Sequence, residues 1–166
     1  AEFLLPDGSK FNITLTFSGG VWIGQYKIKK SDVVGLWLIT IYASDNNGVY
    51  YTDNTSILIC KAQFKIYISF NQSYYNIGEV LAANLTILYP DNSTLAAGNI
   101  NAYIYYGSIN RTLTLTFING TWLATYSIDL SDPIGLWTFN VTAFDNYDNY
   151  GSNKSTIKIN PIPLIV

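Results

Sequence analysis

Asparagine is the residue type whose number and spacing carry the clearest chemical signal in this sequence. Among 166 residues there are 17 asparagines, against 9 aspartates and 2 glutamates. The tripeptide Asn-x-Ser/Thr without an intervening proline, the acceptor of N-linked glycans, occurs nine times, where about three are expected by chance from the Ser and Thr content. The nine acceptors are Asn12, Asn54, Asn71, Asn84, Asn92, Asn110, Asn119, Asn140 and Asn153.

The positions of these acceptors predict surface attachment, which glycans require. Four lie on the outward phase of predicted strands whose other face is apolar: Asn12, Asn71, Asn84 and Asn140. The other five lie in predicted turns or near strand ends, and none falls at a predicted core position. We therefore predict heavy N-glycosylation. The alternative is that Asn and Thr are simply common on polar strand faces and in turns.

Acidic side chains cluster in two similar loops. One loop contains Asp45, with Asp53 shortly after it, and the other contains Asp145 and Asp148. Calcium takes about six to eight oxygen ligands, and loops rich in Asp and Asn supply them, so these four residues are candidate calcium ligands. The spacing of an EF-hand is absent, however, and side-chain hydrogen bonds within turns explain both loops equally well. No other metal or cofactor is predicted.

The composition argues against catalysis. The chain has no histidine, which removes Ser-His-Asp and Cys-His nucleophile systems and the usual zinc sites. Its only glutamates, Glu2 and Glu79, do not recur in the internal repeat described below, whereas a glycosidase needs two carboxylates across a cleft. We predict no catalytic residue and no enzyme activity. A net charge of −2 without basic clusters also argues against nucleic-acid binding.

No membrane-spanning segment is predicted. The longest apolar stretch, residues 33–43, is interrupted by Gly35 and Thr40, and it is far shorter than the roughly 20 residues that a spanning helix needs. The single cysteine, Cys60, has no second thiol with which to form an internal disulfide.

The elements that position these residues are organised by an internal repeat with an offset of 100 residues. The run Thr-Leu-Thr-Phe at 14–17 recurs at 114–117, and Gly-Leu-Trp at 35–37 recurs at 135–137. Over residues 14–59, 19 of 46 positions are identical to the position 100 residues further on, without a gap. This regularity identifies a duplication.

The repeat predicts the domain organisation. A unit of about 100 residues has the size of an immunoglobulin-like sandwich. We predict that residues 1–60 form the C-terminal part of one repeat, that residues 61–160 form a complete repeat, and that residues 161–166 begin a further strand or repeat. On this interpretation the chain is a window from a longer array.

Within each copy, apolar and polar residues alternate with a period of two, which is typical of β-strands. The predicted fold class is therefore all-β, with tandem immunoglobulin-like antiparallel β-sandwiches of which the first is incomplete. All four tryptophans fall on the apolar phase and are expected in the core. The second copy is predicted to contain seven strands, near residues 62–70, 79–89, 99–106, 111–117, 121–129, 136–144 and 154–160. The first copy contains the last five.

The runs Asn-Gly-Thr-Trp at 119–122, Ser-Asp-Pro-Ile-Gly-Leu-Trp at 131–137 and Ala-Phe-Asp-Asn at 143–146 resemble a tandem immunoglobulin-like module. Such modules occur in archaeal surface-layer proteins and in the C-terminal tails of large secreted proteases. The first copy keeps most of the pattern but has Val33 in place of Pro133. The resemblance implies a spacer, adhesion unit or stabiliser with no catalysis of its own.

These observations predict a non-catalytic structural, spacer or adhesion module of a larger secreted or cell-surface, S-layer-like protein. Its expected partners are neighbouring domains of the same polypeptide or subunits of a surface lattice. One alternative is the C-terminal accessory domain of a secreted subtilisin-like protease. Another is a glycan-binding module that uses tyrosines outside the core. Those tyrosines are Tyr50, Tyr51, Tyr74, Tyr75, Tyr103, Tyr105 and Tyr106.

The incomplete first repeat predicts an exposed sheet edge and an open core, which proteins avoid. One solution is strand exchange with another chain, in which residues 162–166, uncharged and strand-prone, serve as a donated strand. The others are a smaller sheet that leans on the second repeat, or simple truncation.

Overall fold

A computed structural model describes residues 1–162 of the protein, and within that range every regular element is a β-strand. This confirms the predicted all-β fold class. The chain divides into two compact units, unit 1 from Ala1 to Lys61 and unit 2 from Ala62 onward. Of the segment 161–166, expected to begin a further strand, Pro161 and Ile162 form no strand, and residues 163–166 lie outside the described residues.

Unit 2 forms a β-sandwich in its described residues. Its strands are β7 (Lys65–Phe70), β8 (Tyr74–Asn76), β9 (Val80–Leu88), β10 (Asn99–Tyr106), β11 (Ile109–Thr112), β12 (Thr114–Ile118), β13 (Thr121–Ser127), β14 (Gly135–Phe144) and β15 (Tyr150–Asn160). One sheet has the order β11-β10-β14-β15-β8 and the other β12-β13-β9-β7. If the strands are lettered A, A′, B, C, C′, D, E, F and G in chain order, these are the C′CFGA′ and DEBA sheets of an immunoglobulin sandwich.

The strand count of unit 2 differs from the prediction at two places. The short strand β8 was not predicted, and it pairs in parallel with the end of β15, where Tyr75 lies opposite Ile159. The predicted strand 111–117 is two strands, because the chain changes sheets at Leu113. The alternation of side chains continues through that crossing, so the sequence pattern gives no sign of it.

The core of unit 2 lies between the two sheets. On β9 every second side chain points inward, and Leu81, Ala83, Leu85 and Ile87 are all fully buried. Together with inward residues of the facing sheet, such as Trp137, they form a single cluster of 21 buried side chains. Burial of this much apolar surface is the main favourable contribution to folding.

Unit 1 repeats only the last six strands of unit 2. Its strands are β1 (Glu2–Leu4), β2 (Lys10–Asn12), β3 (Thr16–Ser18), β4 (Val21–Ile23), β5 (Gly35–Ser44) and β6 (Tyr50–Ile59). They form the sheets β2-β1-β5-β6 and β3-β4. Residues 1–61 contain no counterpart of β7, β8 or β9, and the buried core of this unit is Phe3, Trp37 and Ile59. The first sandwich is therefore incomplete, as predicted.

The two units keep one register from β2 onward and differ by one residue in β1. Ile13 N donates to Ala1 O at 2.9 Å, and Leu113 N donates to Ala102 O at 2.9 Å. Ala1 thus occupies the position of Ala102, because the hairpin loop of unit 1 is one residue longer.

The expectation that all four tryptophans lie in the core is wrong for Trp22, which is 66% exposed. In unit 2 the equivalent Trp122 is half-buried, because β13 pairs with β9 and places Trp122 opposite Leu85. Its indole Nε1 donates to Leu95 O at 2.9 Å. Unit 1 has no strand in the place of β9, so the same residue type on the same strand phase stays in solvent.

Candidate functional site

Eight of the nine predicted glycan acceptors have exposed side chains. Asn92 and Asn119 lie in turns with positive φ values of 65° and 50°, a conformation that asparagine adopts more readily than most residues. Asn71 and Asn84 lie beside each other, with Asn84 Nδ2 donating to Asn71 Oδ1 at 3.4 Å. On the edge of β15, Asn153 Nδ2 donates to Ile66 O at 2.6 Å.

Asn140 is the exception, because it is only 2% exposed. Its side chain points away from the core, as predicted, but its strand β14 is central in its sheet. It lies opposite Tyr103 on β10 and Lys154 on β15, and the long side chains of these neighbours flank it on the outer face. The expectation that Asn140 lies on an accessible surface is therefore wrong, since outward phase alone does not give exposure in a central strand.

The aspartates proposed as calcium ligands at the start of the two loops serve turns. Asp45 Oδ1 accepts hydrogen bonds from the backbone amides of Asn47 and Val49, both at 2.9 Å. The bond from Val49 contributes most to lowering the pKa of Asp45. Asp145 accepts from the Tyr89 hydroxyl at 2.8 Å and from Asn149 Nδ2 at 2.9 Å. Burial raises the pKa of Asp145, but the hydrogen bonds it accepts outweigh burial and the net pKa is lowered.

The other two calcium candidates have different places in the structure. Asp53 lies within β6, opposite Ile41, and its Oδ1 accepts from the Asn54 amide at 2.8 Å. Asp148 occupies a left-handed turn position with φ of 58°. Within residues 1–162 no three His, Cys, Asp or Glu side chains converge in a way that could hold a metal ion.

A partly buried polar network in unit 2 connects three side chains. Asp132 Oδ1 accepts from Arg111 Nε at 2.9 Å and forms an ion pair with Arg111 Nη2 at 2.9 Å. Tyr126 donates its hydroxyl hydrogen to Asp132 Oδ2 at 2.6 Å, and the Asp129 amide donates to the same oxygen at 2.9 Å. The side chain of Asp132 has no solvent exposure, so the pair and its hydrogen bonds offset the desolvation of the carboxylate.

Unit 1 contains a reduced form of this network. Tyr26 donates to Asp32 at 3.0 Å, and the Lys29 amide donates to Asp32 Oδ2 at 2.8 Å. At the position of Arg111, however, unit 1 has Phe11, whose ring stacks on Phe3 with a centroid distance of 4.7 Å. The repeated Tyr and Asp, six residues apart in both copies, could have signalled the shared part of the network. Nothing in the repeat signals the arginine.

Ionisation of Tyr126 gives a testable pH dependence. Burial, and next the hydrogen bond to Asp132, raise the pKa of Tyr126 from 10.0 to about 12. Because the folded-state pKa lies above the unfolded value, the stabilisation is fully present below about pH 10. It is lost as the pH rises toward 12, where the unfolded chain ionises first. We expect the contribution of Tyr126 to the free energy of unfolding of unit 2 to fall by about 2 kcal/mol over this range.

This expectation is checked by chemical denaturation at pH 8, 10 and 12, with Tyr126→Phe as the control. The variant lacks the titrating hydroxyl. The decrease in its unfolding free energy over the same range should therefore be smaller than that of the parent by about 2 kcal/mol. Parallel pH profiles of the parent and the variant would contradict the assignment.

The tyrosines considered for glycan binding differ in exposure and surroundings. Tyr75 is a core residue, since it is fully buried and its hydroxyl donates to Ala82 O at 2.8 Å. Tyr103 and Tyr105 are neighbours on the outer face of β10, with ring centroids 6.1 Å apart and planes tilted by 34°. The others are exposed side chains spread over the two units: Tyr50, Tyr51, Tyr74 and Tyr106.

None of the described residues forms a helix that could cross a lipid bilayer. The sequence matches no protein-family model and no curated protein.

Two solved structures are similar to this chain at low sequence identity. One is a tetra-tandem repeat in the extending region of a large adhesion protein. It is 18% identical, with a TM-score of 0.42, over 96% of this chain and 40% of that one. The other comprises domains 4 and 5 of the S-layer protein SbsC. It is 12% identical, with a TM-score of 0.36, over 79% of this chain and 60% of that one. The chain thus spans less than two thirds of either structure.

Proposed function

We propose that this chain is a non-catalytic structural module of a larger secreted or cell-surface protein, built as a tandem array of immunoglobulin-like repeats and carrying N-linked glycans. Residues 1–60 and 61–160 are then successive repeats. The module spaces or presents neighbouring domains, or makes lateral contacts in an S-layer-like surface lattice of the archaeal type.

The observation that carries this proposal is that the duplicated residues serve the fold. Trp37 and Trp137 each donate an indole hydrogen bond to the carbonyl four residues earlier, at 2.7 and 2.8 Å. The Tyr–Asp pairs close the same corner in both units, and Asp45 and Asp145 organise the same turn. Duplication has therefore kept the scaffold, which is expected of a spacing or presenting module.

The glycan acceptors support the surface assignment in a different way. Six of the nine sequons have an equivalent position in the other copy, and none of the six recurs there; Asn12, for example, corresponds to Thr112. Eight acceptors are exposed, whereas only 12% of the residues are charged. Glycans on these asparagines would supply the hydration that charged side chains give to most protein surfaces. We propose the eight exposed sequons as acceptors and expect Asn140, which was predicted with them from the sequence but is buried, to stay unmodified.

The experiment uses native protein from its source organism. Intact cells are labelled with a membrane-impermeant amine reagent, and the intact mass and site occupancy of the purified protein are measured. We expect labelling without lysis, a mass above that of the polypeptide, and glycans at several of the exposed sequons. Labelling only after lysis would overturn the surface assignment, and an unmodified mass would overturn the glycosylation.

A further inference from the structure

Unit 1 exposes an apolar face that unit 2 buries. Ile28, Ile41 and Ile57 are 50%, 37% and 44% exposed, whereas the residues 100 positions further on, all Ile or Val, are 3%, 0% and 2% exposed. Each pair is aliphatic and occupies equivalent positions of the repeat, so the difference lies in what covers the face. Aliphatic residues left uncovered on one face in this way indicate an interaction site.

In unit 2 the cover is supplied by β7, β8 and β9. Strand β9 pairs with β13 over six residues, from Leu85 opposite Trp122 to Val80 opposite Ser127, and β7 pairs with β9. The inward residues of β9 belong to the same core cluster as Val141 and Ile157. On the other sheet, β8 pairs in parallel with the end of β15.

Unit 1 also has open backbone edges beside this face. Among the described residues, β4 pairs with β3 and β6 pairs with β5, and neither has a second neighbour. These are the edges that β9 and β8 occupy in unit 2. Extended strands fit an apolar face flanked by two unpaired edges. They would form hydrogen bonds with the open backbone edges and would also cover the apolar face.

We propose that unit 1 is a strand acceptor, and that its occupant is a segment with the sequence chemistry of residues 62–97, joined ahead of β1 in the same polypeptide. The occupant places alternating apolar residues on the open face, one strand on the edge of β4 and a short parallel strand on the edge of β6. The inference concerns how unit 1 completes its fold, and it stands whether or not the chain is a surface module.

Three considerations favour a segment that belongs to the same polypeptide over one that another chain donates. Ala1 occupies the position of Ala102, so a segment joined ahead of it reaches the face by the connection that residues 90–98 make in unit 2. Covalent attachment also gives the segment a high effective concentration. In a second copy of this chain, residues 62–97 already form the core of unit 2, and donating them would open that core.

The first test joins an added copy of residues 62–101 directly ahead of Ala1 in the full chain. Amide hydrogen exchange of β5 and β6 is measured by mass spectrometry, with β14 and β15 of the same molecule as internal references. We expect exchange in β5 and β6 to slow by at least about 100-fold. In the matched control the added copy carries Leu81→Asp and Leu85→Asp, which place charge on its inward face, and this control should give no protection.

The second test determines the register in which the added segment lies beside the end of β6. Cys60 is exposed, is the only cysteine in the chain, and corresponds to Asn160, whose partner across the parallel pairing is Asn76. With Asn76→Cys in the added copy, we expect an intrachain disulfide to Cys60 under mild oxidation. With Asn92→Cys, in a turn of the same segment, we expect at least about tenfold less.

Several outcomes would overturn the proposal. They are unchanged exchange in β5 and β6, equal protection by the Leu81→Asp and Leu85→Asp control, and equal cross-linking of the two cysteine positions. If Cys60 formed a disulfide with a second chain rather than within its own chain, the proposal that the segment belongs to the same polypeptide would be rejected. Concentration-dependent pairing of two unit 1 faces that persists when the segment is added would assign the face to a second copy instead.

Discussion

Replacing Asp132 with alanine is expected to lower the free energy of unfolding of unit 2 by about 2–3 kcal/mol, because the change removes a buried carboxylate that accepts three hydrogen bonds and pairs with a partly exposed arginine. The Arg111 guanidinium loses both of its bonds to the carboxylate, and the Tyr126 hydroxyl and the Asp129 amide lose their acceptor. These donors then remain in a half-buried site with reduced access to water. Urea denaturation, followed by the signal of unit 2, measures the effect.

Unit 1 supplies the matched control for this prediction. Asp32→Ala removes the same residue type from the same corner, but there the carboxylate is only partly buried and no arginine faces it. The lost bonds come from Tyr26 and the Lys29 amide, so we expect unit 1 to lose about 1–2 kcal/mol. Equal losses in the two units would show that the ion pair adds nothing to the hydrogen bonds that both units share.

The second large effect concerns the buried tryptophan of each unit. Trp137→Ala is expected to lower the free energy of unfolding of unit 2 by about 3–5 kcal/mol, while the unit stays folded. Trp37→Ala is expected to unfold unit 1 altogether. The two indoles are equally buried, but Trp137 is one of 21 buried side chains in its core, whereas Trp37 is one of three.

Amide exchange resolves the two units within one molecule and measures both variants. In Trp37→Ala we expect β5 and β6 to exchange at the rate of unfolded chain while β14 and β15 keep their protection. In Trp137→Ala we expect faster exchange in β14 and β15 that still remains slower than in unfolded chain. If Trp37→Ala left β5 and β6 protected, the stability of unit 1 would not depend on its small core.

Much of the fold could be predicted from the sequence because the repeat and the two-residue alternation can be recognised directly in the order of the residues. The elements that were missed depend on contacts that are distant in sequence or on patterns too short to recognise. Strand β8 has three residues, too few for an alternation to be recognised, and it is fixed by pairing with β15. The change of sheets at Leu113 leaves the alternation unbroken. Both are set by tertiary structure rather than by local preference.

The polar sites likewise divide into those set by nearby residues in the sequence and those set by distant contacts. The turn roles of Asp45 and Asp145 follow from residues within four positions, and the sequence already favoured turns as strongly as calcium. The partner of Arg111 lies 21 residues away, and unit 1 has phenylalanine at the equivalent position, so no repeated motif pointed to the ion pair. The burial of Asn140 depends on side chains of neighbouring strands. The exposure of Trp22 follows from the absence of a strand.

The parallel pairing of β8 with β15 has a mechanical consequence. The two strands lie near opposite ends of unit 2 in sequence, yet they run side by side in the same direction, with Tyr74 to Asn76 opposite Lys158 to Asn160. Tension applied between the ends of the unit therefore pulls these strands past each other and loads their hydrogen bonds in shear, together, rather than one after another. Unit 2 is thus built to resist stretching at this edge. In unit 1 the equivalent edge would gain the same resistance only when a strand is seated on it.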